Sequence, residues 1–504
     1  MQPHVLRSGR ISWKAALVVA VAAGAVGAGY LVVRQPVTAR PVPREGAPSL
    51  ILISVDSLRP DHLGCYGYHR NTSPTIDRIA REGALFETAM SSTSWTLPAH
   101  AALFTSLPDR VHGCVDDLQW LDGSRLTLAE ALRAVGYKTA GFFSGPYLHP
   151  CFGFSQGFDR YHDCTSYSRK SIELIQEKRF LDPLGPGQRM SFDLMKLSHD
   201  DITNPTVLRE VTSWLAQRPE GPFFLFIHLW DVHYDYVAPP PYDTLFDPDY
   251  RGPVDGRNLL GACRKPPHWT AADVAHLEAL YDGEIRSTDD TIARILEALE
   301  AEGLEDGILL AITADHGEAF YEHGLHGHRL TLHDEEVRIP LILRYPPAIP
   351  AGTRVGGQAC IIDIAPTLLE LAGAPPLPHA LGRSLVPVLE GSAGGAPDEP
   401  AVCELTVPAS GVHLFALRTP SWKVIYDFSR RDFRVFDLAR DPAERTPLDE
   451  NTSPFNLAEL HGLYRGTAVK LQEAARRLPT PGERDTPPIS KMTEAQLRTL
   501  GYLK

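Results

Sequence analysis

The stretch LILISVDS at residues 50–57 decides the fold, because a continuous apolar run ends there directly in an acidic residue, Asp56. Similar apolar runs follow along the chain: KTAGFF (138–143), FFLFIHL (223–229), ILLAIT (308–313) and LIL (341–343). Uninterrupted apolar strands are typical of a parallel sheet that is covered on both faces, whereas half-exposed strands alternate apolar and polar residues. These runs therefore predict the strands of a large, mostly parallel sheet.

Helical patterns separate the predicted strands, at 74–82, 126–135 and 271–302. Strands that alternate with helices are typical of an α/β fold. Near residue 393 the pattern changes to short strands and then an amphipathic helix, at 414–419, 422–428, 433–438 and 457–477. We therefore expect a large α/β domain over 49–392 and a small α+β subdomain with a tail over 393–504.

The composition is that of a globular protein with an acidic surface. The 504 residues include 49 Lys and Arg against 62 Asp and Glu, which gives a net charge of −13 at pH 7. Because no basic stripe offsets this charge, nucleic acid is excluded as a partner. The same charge does not attract an anionic substrate, so local cations or a metal must hold such a substrate.

The N-terminus contains an uncharged apolar run at 15–33. As a helix this run would rise about 28 Å, close to the roughly 30 Å of a bilayer's hydrocarbon core. Two interpretations stay open: an uncleaved membrane anchor behind a cytoplasmic basic tip (1–14), or a signal sequence cleaved near 37–39. A Pro-rich linker at 34–48 follows. Both interpretations place the remaining chain outside the cytoplasm, in the periplasm or the extracellular space.

The cysteines give a weaker signal. Seven are present with no C-x-x-C pair, which argues against a zinc knuckle or a thioredoxin-like centre. A disulfide among Cys114, Cys151 and Cys164 stays open in an oxidising compartment.

Titratable residues stand at or just beyond the ends of three predicted strands. They are, in chain order, Asp56, His228, Asp231, His233, Asp315 and His316. In open parallel sheets, ligands bind outside the carboxyl ends of the strands. A single such residue is usually a loop carboxylate or a helix cap, but agreement among three strands favours a metal or catalytic site.

Residues 94–104 (SWTLPAHAALF) predict a loop that enters a helix, with Thr96 as the N-cap and Pro98 in the first turn. A plain capping threonine is one interpretation. The other is functional, because a hydroxyl at a helix N-terminus faces free backbone N–H groups that suit an anion. A metal on the Thr96 oxygen would make that oxygen a nucleophile.

Several further stretches match family motifs in the same order. They are VDSLRPDHLGCYG (55–67), SPTIDRIAREG (73–83), TLPAHAALFTS (96–106), HLWDVHYDY (228–236), YDGEI (281–285), TADHGE (313–318), EHGLHGH (322–328), DIAPTLLELAG (363–373) and FDLARDPAER (436–445). Together these stretches resemble the sulfatase-like branch of the alkaline phosphatase superfamily. The resemblance covers about residues 50–450. It implies a metal-dependent hydrolase on a large sheet flanked by helices.

The chain departs from true sulfatases at its proposed nucleophile. Sulfatases carry a Cys in C-x-P-x-R that becomes formylglycine, but Thr96 and His100 occupy the Cys and Arg positions here. Ser57 stands where sulfatases often have an Asp, and His316 where they commonly have Asn. The combination resembles the family's Thr-nucleophile members. These include phosphodiesterases and the membrane-anchored phosphoethanolamine and glycerol-phosphate transferases.

The resemblance implies roles for particular residues. The predicted metal ligands are Asp56, Thr96, Asp315 and His316. Two carboxylates and an imidazole favour Zn²⁺ or Mn²⁺ over Ca²⁺ or Mg²⁺. The predicted catalytic residues are Thr96, His233 and His328, and a second metal between the two histidines stays open. The residues predicted to contact substrate or to orient the site are His100, His228 and Asp231.

We therefore expect a hydrolase that acts on sulfate or phosphate esters of small molecules, glycans or lipids. One alternative is a membrane-anchored phosphoryl-group transferase, and another is an inactive binding protein that kept the fold. The single apolar segment favours hydrolysis, because the transferases used for comparison usually carry several membrane spans.

Overall fold

The computed structural model describes residues 43–117, 119–165, 202–259, 269–305, 307–391, 399–408 and 410–480. The predicted basic tip and apolar segment, at 1–14 and 15–33, lie outside the described residues. Within the described ranges, no helix is long and apolar enough to span a bilayer.

Fifteen strands lie in these ranges. They are β1 (Ser49–Val55), β2 (Ala84–Met90), β3 (Lys138–Phe143), β4 (Arg160–Asp163), β5 (Phe223–Leu229), β6 (Ile308–Ala314), β7 (Ala319–Phe320), β8 (His326–Gly327), β9 (Arg338–Ile339), β10 (Leu341–Arg344), β11 (Thr353–Cys360), β12 (Ala401–Val407), β13 (Val412–Arg418), β14 (Trp422–Asp427) and β15 (Asp432–Asp437).

A nine-stranded sheet forms the centre of the described chain. Its order is β11-β2-β10-β6-β1-β5-β3-β4, with β9 paired to β2. Strands β6, β1, β5, β3 and β4 run parallel to one another, whereas β10 runs antiparallel to both β6 and β2. The predicted mostly parallel α/β sheet is confirmed. Strands β5 and β6 are buried along their full length, and β1 is buried from Leu50 to Val55, as their uninterrupted apolar sequences require.

The register of this sheet positions the site. Val55 at the end of β1 lies opposite Leu229 of β5 and Ala314 of β6. The carboxyl ends of the three strands are therefore level, and the residues that follow them emerge side by side.

Ten α-helices flank the sheets in the described residues. They are α1 (Pro74–Glu82), α2 (Thr96–Thr105), α3 (Asp109–His112), α4 (Leu128–Ala134), α5 (Asn204–Leu215), α6 (Ala271–Ala301), α7 (Asp334–Val337), α8 (Ile364–Leu371), α9 (Val386–Leu389) and α10 (Leu457–Arg477). Reciprocal side-chain and backbone hydrogen bonds cap three of them. For α6, the cap pairs Thr270 with Asp273.

Helix α2 carries Thr96 into the interior. All ten of its residues are buried, as expected for a helix that is apolar on every side. The prediction that Thr96 is the N-cap is wrong by one residue. Trp95 has the extended backbone of an N-cap and its carbonyl accepts from Ala99 N–H, so Thr96 is the first helical residue. No backbone group of the helix binds the Thr96 side chain, which points instead toward the strand ends.

A second, antiparallel sheet of four strands, β12-β13-β14-β15, lies in the predicted C-terminal subdomain. It contacts the large α/β domain directly, because the Glu404 N–H of β12 donates to the Ser92 carbonyl at 2.8 Å. The six cysteines among the described residues are unbonded, so the disulfide left open among Cys114, Cys151 and Cys164 is not formed.

Candidate active site

Four of the predicted residues meet where β1 and β6 end. Thr96 Oγ1 lies 3.4 Å from Asp56 Oδ2 and 3.4 Å from His316 Nε2. His316 Nε2 lies 3.8 Å from Asp56 Oδ1 and 3.5 Å from Asp315 Oδ2. All four side chains are buried. The structure therefore brings together the quartet that the sequence analysis proposed.

Hydrogen bonds fix which imidazole nitrogen faces this centre. His316 Nδ1 lies 2.9 Å from the Gly317 carbonyl, to which it can only donate, so Nε2 presents a lone pair to the carboxylates. His228 shows the same arrangement, with Nδ1 2.8 Å from the Ser144 carbonyl and Nε2 3.5 Å from Asp56 Oδ2. Both imidazoles are thus held in the tautomer that binds a metal through Nε2.

These atoms fit a divalent cation. Within the described chain, His228 Nε2 and Asp315 Oδ2 are buried and have no hydrogen-bond partner. Burial raises the pKa of Asp56 and lowers the pKa of His228 to about 4. Lone pairs that face buried carboxylates are costly unless a cation lies between them. The side chains that converge closely enough for one ion form two sets, Asp56, Asp315 and His316, and His100, His228 and Asp315.

His100 lies one turn further along α2 than Thr96. Its Nδ1 donates to the Thr96 carbonyl at 3.0 Å, and its Nε2 lies 3.1 Å from Ser54 Oγ. The ring is fully buried, and burial lowers its pKa to about 3. Both nitrogens are engaged by protein atoms, so contact with a substrate or a metal would require one of these hydrogen bonds to break. The geometry is that of a residue that positions the first turn of α2.

Asp231 lies apart from the quartet. Its carboxylate accepts from the backbone N–H groups of Thr203 and Asn204, at 2.7 and 2.8 Å, where α5 begins. Burial raises the pKa of Asp231 to about 6 despite these hydrogen bonds. The structure therefore shows a helix-capping carboxylate at this position.

His233 and His328 face each other near the quartet. Their ring centroids are 4.9 Å apart, and the His328 ring lies 4.4 Å from that of His316. Trp230 stacks on His233 at 3.9 Å. The Glu318 carboxyl group is hydrogen-bonded to His328 Nδ1 at 3.0 Å, and burial raises the pKa of Glu318. Burial lowers the pKa of His328, so the ring is neutral before an anion binds.

Sequence analysis did not single out Glu318, Trp230 or Arg329. Glu318 and Trp230 stand inside the quoted motifs TADHGE and HLWDVHYDY, so these motifs could have pointed to both residues. The Arg329 guanidinium lies 3.9 Å above the Trp95 ring and forms two hydrogen bonds with Asp117. Arg329 thus lies beside Trp95, the residue before Thr96, and no pattern in the sequence indicates this position.

Comparison with known families matches two family models to the chain. The family model described as Sulfatase matches residues 48–374. A second model, described as N-sulphoglucosamine sulphohydrolase, C-terminal, matches residues 321–461.

Individual relatives are distant but extensive. The chain is 23% identical over 473 residues to an N-acetylglucosamine-6-O-sulfatase of Bacteroides thetaiotaomicron, covering 79% of this chain and 82% of the relative. It is 25% identical over 442 residues to a choline-sulfatase of Rhizobium meliloti, covering 81% and 83%. A phosphonate monoester hydrolase of Agrobacterium radiobacter shares the fold, with a TM-score of 0.66, 23% identity, and coverage of 85% of this chain and 96% of that structure.

Proposed function

Since this chain belongs to the sulfatase family, we propose that it is a metal-dependent hydrolase of sulfate or phosphate esters with Thr96, in place of formylglycine, as its nucleophile. The observation that carries the proposal is the position of Thr96 Oγ1. It stands at the start of α2, 3.4 Å from both a carboxylate and an imidazole that fit a metal. A threonine that only capped the helix would instead bind backbone N–H groups of α2.

Asp56, Asp315 and His316 would hold the metal, and Thr96 Oγ1 and His228 Nε2 face the same space. When bound, a divalent cation would lower the pKa of the Thr96 hydroxyl and offset negative charge on the ester oxygens. The mixture of carboxylate and imidazole ligands favours Zn²⁺ or Mn²⁺ over Ca²⁺.

The chain's own residues supply the remaining chemistry. The Thr96 hydroxyl loses its proton to solvent and its Oγ1 attacks sulfur or phosphorus, and the new bond forms as the bond to the leaving alcohol breaks. His233 or His328, protonated once the anionic ester is bound, gives its proton to the leaving oxygen. The free N–H groups at the start of α2 stabilise charge on the transferred group. Water then cleaves the Thr96 ester and returns a proton to the histidine, which releases sulfate, phosphate or, from a diester, a phosphate monoester and restores the Thr96 hydroxyl.

The substrate class is proposed from the relatives and from the nucleophile. Two of the compared relatives are named for sulfate esters and one solved structure for a phosphonate ester. We propose that the substrate is a small-molecule, glycan or lipid ester of one of these acids.

The test compares Thr96→Ala with Thr96→Ser, which keeps the hydroxyl. Both variants and the wild type are assayed on p-nitrophenyl sulfate, p-nitrophenyl phosphate and bis(p-nitrophenyl) phosphate, with metal content measured in parallel. Thr96→Ala is expected to lose about 10³-fold or more in kcat/KM, and Thr96→Ser to keep part of the activity. Activity of Thr96→Ala within a few-fold of wild type would refute the nucleophile. Bound metal without turnover of any ester would favour the transferase alternative.

We propose further that residues 15–33 hold the protein at a membrane with its catalytic domain outside the cytoplasm. The test is fractionation of the full chain and of a chain that starts at residue 45. The full chain is expected in carbonate-washed membranes and the shortened chain in the supernatant. Recovery of both in the supernatant would refute the anchor.

A further inference from the structure

A cavity of about 390 Å³ lies between the loop that carries His328 and the C-terminal sheet. Its lining includes His323, Thr331 and His333 from the loop side, and Arg430 and Arg434 from the sheet side. The proposed mechanism uses none of these residues.

Arg434 supplies a cation to this cavity. Its guanidinium donates to His333 Nε2 at 3.3 Å, and no carboxylate in the described ranges forms an ion pair with it. A guanidinium has five N–H donors, so most of those on Arg434 are available to a ligand. Arg434 is half-buried, which strengthens its interaction with an anion relative to a fully solvated arginine.

Thr331 supplies a second polar group. Its side chain is 4% exposed, and its Oγ1 has no hydrogen-bond partner among the described residues. A buried hydroxyl without a partner costs free energy, and a ligand oxygen would remove that cost once its entry into the cavity uncovers Oγ1.

The acidic groups around the cavity are already engaged. Asp427 accepts from the backbone N–H of Ser429 at 2.9 Å and lies 3.6 Å from the exposed Arg430 guanidinium. Glu335 accepts from His323 Nδ1 at 2.6 Å, and this hydrogen bond raises the pKa of His323. Glu444 lies 3.3 Å from His333 Nδ1 and 2.9 Å from the buried Lys423 ammonium. These carboxylates are therefore already paired. The groups left to contact a ligand in the cavity are mainly cationic or neutral.

We propose that this cavity binds an oxyanion, a sulfate, phosphate or carboxylate group, through Arg434 and Thr331. Such a group has two sources: a second anionic group on an extended substrate, or a free inorganic anion. The first source rests on the ester hydrolysis proposed above, whereas anion binding itself does not.

The first experiment is isothermal titration of the full chain with sodium sulfate. It compares wild type with Arg434→Gln and with Thr331→Val, which removes only the hydroxyl. The control is Arg440→Gln, because Arg440 is an exposed arginine of the same subdomain that does not line the cavity. Wild type and the control are expected to show one more sulfate site than Arg434→Gln, or about tenfold tighter binding at that site. Thr331→Val is expected to weaken the same site.

The second experiment identifies the source, using a monosulfated and a disulfated glucosamine as substrates. If the anion belongs to the substrate, Arg434→Gln raises KM about tenfold for the disulfated sugar alone and leaves kcat unchanged. If the sulfate site is lost in titration but both KM values are unchanged, the cavity takes a free anion.

Sulfate binding that is identical in wild type, Arg434→Gln and Thr331→Val overturns the proposal, whatever the kinetics. A wild-type protein that hydrolyses neither sugar would count against the proposed function. The titration would still show whether the cavity binds an oxyanion.

Discussion

Individual hydrogen bonds at the site decide which atom of each histidine faces the reacting group. Gly317 and Ser144 carbonyls hold His316 and His228 through Nδ1, and the Glu318 carboxylate does the same for His328. A carboxyl group that is hydrogen-bonded to one imidazole nitrogen fixes the orientation of the ring. Glu318 is therefore a positioning residue for His328.

Replacement of Glu318 tests this role. Glu318→Ala is expected to lower kcat by about 10- to 100-fold, because His328 loses its orientation. Glu318→Gln keeps an acceptor for Nδ1–H and is expected to recover part of the loss. The measurement is kcat with metal content as a control. Equal activity of the two variants would show that the hydrogen bond does not matter.

The elements that bear the site were largely predictable from the sequence. Strands β3 and β5 and helices α1 and α10 have the predicted bounds, because each is a long, strongly patterned segment. Strand β12 was not predicted. Its antiparallel pairing with β13 sets its place, and the pattern of apolar residues along the sequence does not show such pairing. Patterns of apolar residues also do not report hydrogen bonds. The sequence therefore predicted the quartet but not the engagement of both His100 nitrogens or the capping role of Asp231.

A tight contact between Gly145 and Trp230 holds the Trp230 ring in the position where it stacks on His233. Gly145 follows β3 with a φ of +86°, and a Cβ there would lie 2.2 Å from Trp230 Cε3. Trp230 in turn stacks on His233. Gly145 thus gives Trp230 the room that its stacking position requires.

Gly145→Ala is expected to lower the free energy of unfolding by about 2 kcal/mol or more and to reduce kcat/KM, because Trp230 must move. The matched control is Gly221→Ala, since Gly221 also has a positive φ of +74° but open space around its Cβ position. The control is expected to cost about 1 kcal/mol and no activity. The measurements are urea unfolding and turnover. Similar activity losses in both variants would refute the role of Trp230.

At the scale of the whole molecule, a buried ionic cluster joins helix α7 to the C-terminal sheet. Lys423 of β14 is fully buried, and its ammonium lies 2.8 Å from Asp334 Oδ1 and 2.9 Å from Glu444 Oε1. Asp334 also binds Arg418 at 2.9 Å. Asp334 belongs to α7, which follows the loop that carries His328, so the cluster ties that loop to the C-terminal sheet.

Lys423→Met removes the buried cation shared by Asp334 and Glu444, leaves Asp334 with Arg418 alone, and is expected to cost about 3–5 kcal/mol of unfolding free energy. Lys470→Met, an exposed lysine on α10, is the control and is expected to change stability by less than about 0.5 kcal/mol. Urea unfolding measures both. A loss in Lys423→Met no larger than in the control would contradict this account of the cluster.

The same cluster predicts a pH dependence. Lys423 and Arg418 lower the pKa of Asp334 in the folded state despite its burial. Its contribution to stability is therefore present above the unfolded pKa of about 3.9 and is lost as pH falls below that value. Wild type is expected to lose more stability than Lys423→Met between about pH 5 and pH 3. Parallel pH profiles would contradict this assignment.

The central claim is that Thr96 becomes covalently attached to the transferred group. The most direct measurement is acid quenching of wild-type enzyme during turnover of bis(p-nitrophenyl) phosphate and of p-nitrophenyl sulfate, followed by peptide mass spectrometry. We predict a phosphoryl- or sulfuryl-bearing adduct on Thr96 that is absent from unreacted protein and from Thr96→Ala. Steady turnover with an adduct on another residue, or activity retained by Thr96→Ala, would contradict the account.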